Sequence, residues 1–554
     1  MKGNVKKMLV FALAATVACG IFTGCGEKND PNTLNIKVYE AGYGTDCVYA
    51  VAERFEELNP GITVNVDPNS DGAILRTEMP SGPSINFTDL YMAGGVFFDL
   101  YGLGQFTVDG VTYPNQFADL SDVYENPAYN ETKPIKDKMF GEYYEYFHEY
   151  NMAPWMAGAQ GIVYNSKMFD TYDWNDGRIP VTTDELLATC QEIIETKAYS
   201  TNKNSEGEEI TISPFTFSKE DQYWEAVYLE WWAQYDGLES YKLFYEGKNA
   251  EGKYNANCAD TDGQYETMKV LDAILGTYTQ EGETKTPRTN IYCDTKLSAK
   301  TYIDVQSAFL NAEGARKNET GATTAAMLPM GDWLENEMWK NYSEQLESGE
   351  IEFKLMKTPI ISAIRKQTPS IKDDATLAEV VRYIDGGETG TAPAGVDPDD
   401  IAIIREARGL SSAPGVGHVM MIPVYSSKIE LAKDFIRFLY SDEGIALFSE
   451  AGHGINLPLE YDYSNADWVS TFQMSKFEVV DQTQHYVIRY NNAPMSYRAG
   501  LKPLMNVLQY ASFVSYMNAE SAQDYMSADT LYQLNVTEVS RIWDRLMDDA
   551  GLND

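Results

Sequence analysis

Between Leu34 and Val66 the apolar residues change period twice, and that alternation restricts the fold more than any other feature of the chain. In LNIKV, Leu34, Ile36 and Val38 alternate as in a half-buried strand. In DCVYAVAERFEEL, residues 46–58, Val48, Val51, Phe55 and Leu58 fall on one helical face, and Asn59-Pro60-Gly61 ends the helix. GITVNV then alternates again. Two strands joined through a helix pair in parallel, with helices covering the sheet, so the chain opens as an α/β protein. TDLYMAGGVF, residues 88–97, reads as a further buried strand emptying into Gly94-Gly95. Ligands of such sheets sit in the crevice beyond the carboxyl ends of the strands. Tyr39, Glu40 and Tyr43, with the loop Met92–Gly95, are therefore the expected binding rim.

The chain has 554 residues, too many for one ordinary core, and two or three lobes are expected. Its beginning, MKGNVKKMLVFALAATVACGIFTGC, places Lys2, Lys6 and Lys7 before an apolar stretch from Met8 to about Ala18 and then small residues. That is the layout of a secretory signal, and it is too short for a membrane span. Phe22-Thr23-Gly24-Cys25 resembles the lipobox of bacterial lipoproteins, with Phe where Leu is usual. The resemblance implies a signal peptide over 1–24, cleavage before Cys25 and a diacylglyceryl thioether on its sulfur, with the polar residues 25–33 as a leash. No run of about 18 apolar residues follows Cys25. The expected product is tethered by lipid to the outer face of the cytoplasmic membrane, extracellular or periplasmic.

Forty-three Lys and Arg against eighty-three Asp and Glu give a net charge of -40, which repels phosphate backbones and argues against nucleic acid as a partner. Beyond Cys25, Cys47, Cys190, Cys258 and Cys293 form no CxxC pair. Cys258 and Cys293 could bridge, or all four could be buried thiols. His148, His418, His453 and His485 show no metal spacing, and no GxSxG or phosphate-cradling loop occurs, so neither a catalytic residue nor a cofactor is assigned. DPNSDGAILRTE places Asp67, Asn69, Asp71, Gly72 and Glu78 at the spacing of a calcium loop. The segment before it reads as strand and Pro68 interrupts it, so an Asx-rich turn is the plainer reading and no metal is assigned.

Four segments, RFEELNPGITVNV, GIVYNSKMF (161–169), AAMLPMGDWLENEM (325–338) and MIPVYSSKIELAKDFIRFLYSDEGIALF (421–448), together resemble the extracellular solute-binding proteins of bacterial ABC importers. The resemblance is to the carbohydrate-binding group that includes maltose-binding protein. It implies a type II periplasmic-binding-protein-like fold of two α/β lobes joined by crossing hinge strands, with the ligand in the cleft. It also implies a carbohydrate ligand, permease subunits of the importer as partners, and no enzymatic activity. On that plan residues 34–152 begin lobe 1, 153–350 form lobe 2, 351–440 return to lobe 1 with an insertion at 364–412, and 441–554 complete both lobes. The insertion is dense in Gly, Pro, Thr and Asp and reads as loop. The chain is long and rich in tyrosine, which points to an oligosaccharide, and a monomer is the default. The rival readings are a surface glycoside hydrolase, which needs only two carboxylates, and the same fold binding a polyamine or a peptide. A peptide carboxylate recruits Arg, and the rim loops contain none.

Sugar sites combine flat aromatic rings with carboxylates and amides. The family resemblance places Trp333 near the cleft wall, as a stacking platform or as core. Asp332 beside it is an acceptor for hydroxyls or a helix N-cap. Trp155 stands at the lobe crossover, where the family forms its cleft floor. In YWEAVYLEWWAQYDG, Trp231 shares a helical face with Trp224 and Tyr228, the pattern of core, whereas Trp232 points about 100° away and is the better ligand candidate.

Overall fold

β1 (Thr33–Val38), α1 (Asp46–Leu58), β2 (Thr63–Asp67) and β3 (Leu90–Ala93) follow one another as the apolar periods require, and Ile36 lies opposite both Val66 and Leu90 in parallel register. The structure is a computed structural model. It describes residues 30–553 except 41, 70–74, 76, 84–85, 95–104, 197, 204–206, 208, 219–221, 294–300, 311–322, 414–416, 465 and 504–512. The expected signal peptide and Cys25 lie outside these residues, as do Asp71 and Gly72 of the calcium-like loop.

After α2 (Gly141–Phe147) and β4 (Ala153–Pro154) the chain leaves the first lobe. The second lobe is built on β5 (Gln160–Asn165), α3 (Thr183–Thr196), β6 (Ala198–Lys203), β7 (Glu209–Phe215), α4 (Gln222–Asp236), α5 (Leu238–Tyr245), β8 (Thr323–Gly331), α6 (Leu334–Glu347) and β9 (Phe353–Met356). It continues through α7 (Asp374–Asp385), α8 (Pro398–Arg408) and β10 (Leu410–Ser412). Then come β11 (Val419–Met421), α9 (Ile429–Leu439), α10 (Asp442–Ala451), α11 (Thr471–Asp481) and β12 (His485–Val487).

Lobe 1 holds a five-stranded sheet in the order β2-β1-β3-β11-β4, and lobe 2 another in the order β9-β5-β8-β7-β6. Neither is wholly parallel. β11 runs antiparallel to β3 and β4, and β8 runs antiparallel to β5 while parallel to β7. Strands that arrive from the other lobe rather than through a covering helix are free to enter in either direction, which the local period could not show.

The expected loop insertion at 364–412 is instead largely helical. Leu377, Val380 and Val381 of α7 and Ile401 and Ile404 of α8 are buried in the lobe 2 core. The Asp residues that read as loop are N-caps: Asp373 accepts from the Thr376 amide, and Asp397 accepts from Asp399 with Pro398 following it. β9 also pairs within lobe 2, so the chain re-enters lobe 1 at β11 and not near residue 351.

Three stretches join the lobes. Residues 155–159 lead from β4 to β5, the chain passes from β10 in lobe 2 to β11 in lobe 1, and β12 places Tyr486 in the lobe 1 core and Val487 in the lobe 2 core. α11 lies between the lobes: Phe477 packs into the lobe 1 core, while Phe472 and Val479 pack on the second-lobe cluster around Phe353 and Leu355. Cys47, Cys190, Cys258 and Cys293 are all buried, and Cys258 is a free thiol, so the buried-thiol alternative holds over a Cys258–Cys293 bridge. No helix among the described residues is long and apolar enough to cross a membrane.

Candidate functional site

Two aromatic rings stand at the carboxyl ends of strands, one in each lobe, and each lies over a glycine. Tyr39 follows β1, and a Cβ on Gly94 would meet its ring at 2.0 to 2.5 Å. Trp333 follows β8, and a Cβ on Gly331 would meet the indole at 2.1 to 2.5 Å. Only glycine lets the rings settle this close to the strand ends. Trp333 remains half-buried and packs against the cores of both lobes.

Tyr43, from the first rim loop, fills the space between. Its ring meets Trp333 edge-on at 6.0 Å, Trp155 at 6.5 Å and His418 at 5.8 Å, all near right angles. Its hydroxyl donates to Oδ1 of Asp332 at 3.2 Å, a hydrogen bond from lobe 1 to lobe 2. Two more contacts cross the same seam: Asn336 Nδ2 donates to the Gly42 carbonyl at 2.9 Å, and Trp339 lies 4.6 Å from the His453 ring. Tyr223, at the start of α4, faces Trp333 at 6.2 Å. Glu337 lies beside Gly42 and accepts from Gln306 at 2.5 Å.

Asp332 is no helix cap. Its carboxylate is buried, its amide donates to Ala159, and Oδ2 faces Lys476 Nζ at 3.8 Å, beyond hydrogen-bond reach. Burial raises the pKa of Asp332, outweighing the lowering by Lys476. Lys476 itself is brought down to about 8 by burial, donates to the Gly454 carbonyl, and has Glu335 as a second acidic neighbour. Burial pushes Glu335 up to about 7, although Ser470 donates to it at 2.8 Å. Burial also raises Glu337 and the Tyr43 phenol, and lowers His418 to about 4, which keeps that imidazole neutral near pH 7.

Of the residues singled out in the sequence, Tyr39, Tyr43, Trp155, Asp332 and Trp333 come together. Trp155 is fully buried, with its indole N–H donating to the Ala93 carbonyl at 3.1 Å. It therefore supports the floor under Tyr43 and presents no surface in this arrangement. Glu40 is exposed at the rim. Trp232 is elsewhere, inside the lobe 2 core with its N–H on Asp236 at 2.7 Å and its ring against Tyr241 and Phe244. The helix that carries it is buried on several faces, so pointing away from Trp231 does not lead to the cleft. His418, Tyr223 and Lys476 reach the seam from distant segments, and no local pattern marks them; Glu337 lies one helical turn beyond Trp333 in the same segment.

Among the described residues no cluster of His, Cys, Asp or Glu could hold a metal ion. The ends of the calcium-like loop are also occupied: Lys37 Nζ lies 3.8 Å from Asp67 and pairs with Glu78, supplying the positive charge itself.

Residues 41–250 match the model of the bacterial extracellular solute-binding protein family. No curated protein sequence matches the chain. Among solved structures, the bacterial solute receptor AcbH, which has an exclusive preference for β-D-galactopyranose, superposes with a TM-score of 0.53 at 11% identity, covering 93% of this chain and 99% of AcbH. A probable secreted solute-binding lipoprotein from Streptomyces coelicolor gives 0.52 at 13% identity over 92% of this chain and 99% of that one. A chitin oligosaccharide binding protein gives 0.51 at 12% identity over 94% and 99%. At such identities the likeness is one of fold. Residues 41–250 thus carry the sequence pattern of the bacterial extracellular solute-binding proteins, and the whole chain shares the two-lobed type II fold of the solved structures it superposes on.

Proposed function

We propose that this protein captures a carbohydrate, an oligosaccharide, between its lobes and delivers it to the permease of an ABC importer without chemical turnover. The observation that carries this reading is the seam at Tyr43, Asp332 and Trp333, where rings from both lobes and the carboxylates of Asp332 and Glu337 gather around one half-buried indole. A pyranose presents apolar C–H faces to such rings and hydroxyls to such carboxylates. The ligands named for AcbH and for the chitin oligosaccharide binding protein support the class. In use, a ligand touching both lobes favours the closed arrangement over the open one, and a nearly complete switch needs a preference of roughly 5.5 kcal/mol. Several simultaneous contacts supply that, which is why an extended sugar suits the seam. On this reading Tyr39, Glu40, Tyr43, Asp332 and Trp333 meet the ligand, Trp155 and His418 hold the floor, and the monomer is held at the membrane surface through lipid on Cys25.

The test is intrinsic tryptophan fluorescence of the chain from Gly26 onward, titrated with galactose, maltotriose and chitotriose, with spermidine and a tripeptide as controls. A saturable change with a sugar, lost in Trp333→Ala and unaccompanied by hydrolysis products, is expected. A response to spermidine or peptide alone would move the ligand class, and released monosaccharide would restore the hydrolase reading.

A further inference from the structure

A second place in the molecule also draws its walls from both lobes. Tyr490 is half-buried and, like Trp333, packs against the core of each lobe. It lines a cavity of about 400 Å³ that shares no residue with the Trp333 cluster. Glu145 and Tyr146 of α2 form the lobe 1 wall, and Lys242, Glu246, Lys248 and Tyr254 the lobe 2 wall. The volume lies within the range of ligand pockets, roughly 300 to 1,000 Å³.

We propose that this cavity is a second ligand site, built for a small neutral polyhydroxylated molecule of mono- or disaccharide size. The charges decide the class. Lys242 Nζ sits over the Tyr490 ring at 5.4 Å and Lys248 Nζ over the Tyr254 ring at 5.6 Å, so protein ammonium groups already occupy the ring faces that an amine or quaternary ammonium ligand would use. Each lysine also has its own carboxylate, Glu239 at 3.3 Å and Glu246 at 2.6 Å, so an anionic ligand would have to displace one. Hydroxyl groups need displace neither. An ammonium has three donors and a carboxylate about four acceptor positions, so a paired lysine and glutamate can both still bond to a hydroxyl. The buried Tyr490 hydroxyl has no hydrogen-bond partner among the described residues, Asn492 adds an amide, and Pro494 and Met495 add apolar surface for C–H faces.

Because α2 and α5 belong to different lobes, a molecule seated here favours this lobe arrangement over any in which the walls separate. It therefore tightens binding at the Trp333 seam, and binding there tightens it in return by the same factor.

The test is saturation-transfer NMR with D-galactose, maltose and methyl α-D-glucopyranoside, and with spermidine and citrate, on the chain from Gly26 onward, which contains every described residue. It is run in the Trp333→Ala background so that loss of the cleft site does not bear on the result. Signal from at least one sugar is expected to persist in Trp333→Ala and to fall at least fivefold on adding Lys242→Met or Glu246→Gln, with the melting temperature of each variant recorded as a check on folding. Absence of sugar signal in Trp333→Ala, sugar signal unchanged by both further substitutions, or spermidine or citrate binding that those substitutions abolish in place of sugar would overturn the proposal.

Discussion

The Tyr43 hydroxyl and the Asp332 carboxylate, 289 residues apart in sequence, share a hydrogen bond of 3.2 Å that joins lobe 1 to lobe 2. Since the donor is buried beneath Trp333 and the acceptor is buried beside Lys476, the bond contributes to lobe closure with no ligand taking part. Tyr43→Phe keeps the ring contacts and removes the bond. A buried hydrogen bond is worth about 1 kcal/mol net, so the open fraction should rise about fivefold and sugar affinity should fall by up to that factor. Small-angle scattering with and without ligand would show it; an unchanged radius of gyration in both states would mean that other seam contacts dominate.

Gly331→Ala puts a methyl group where the indole now lies. Its backbone is not among those with positive φ, so the strand itself tolerates alanine. The effect should be local: Trp333 emission shifts to longer wavelength, sugar affinity drops about tenfold or more, and the melting temperature changes by only a few degrees. Gly94→Ala should act in the same way on Tyr39.

Glu335 gives the seam a pH dependence. Burial raises its folded pKa to about 7 from the ordinary 4.5 of a glutamate, so between those values the folded state holds a proton that the unfolded state has lost. Its contribution to stability is complete below about pH 4.5 and is lost as pH rises through about 7. Glu335→Gln removes that loss. The difference in melting temperature between variant and parent should be near zero at pH 4.5 and grow to a few degrees in favour of the variant by pH 7.5. Taking the difference separates Glu335 from Asp332, Lys476 and His418, which remain in both chains.

The thiols should be inert in the native state. Burial raises Cys47 to about 12, and burial likewise raises Cys190 and Cys258. In the chain from Gly26 onward, a thiol reagent should label none of the four in buffer and all four in denaturant, and a reductant should leave the melting temperature unchanged. Labelling of fewer than four in denaturant would reveal a bridge.

Sequence period found the opening of the fold almost residue for residue, because α1 and its flanking strands bury one face against one core: the expected helix over 46–58 is the observed Asp46–Leu58. It did not find α7 and α8, whose apolar residues stand at helical spacing but between Gly, Pro and Asp clusters that serve as caps and connections. For the site, strand-end position brought out Tyr39 and Tyr43, and family resemblance brought out Asp332 and Trp333. Lys476 and His418 were hidden because their neighbours are set by three separate crossings between the lobes. Trp232 misled because helical geometry gives direction relative to Trp231 but not what lies in that direction, here Tyr241 and Phe244.

α11 carries Phe477 on the side of one lobe and Phe472 and Val479 on the side of the other. If the lobes part, the helix can follow only one of them, and the aromatic or aliphatic contacts on its other side become wet. Wetting apolar surface raises heat capacity and costs less in the cold. This helix therefore ties the lobe equilibrium to temperature: its contribution to keeping the lobes together weakens on cooling and strengthens on warming.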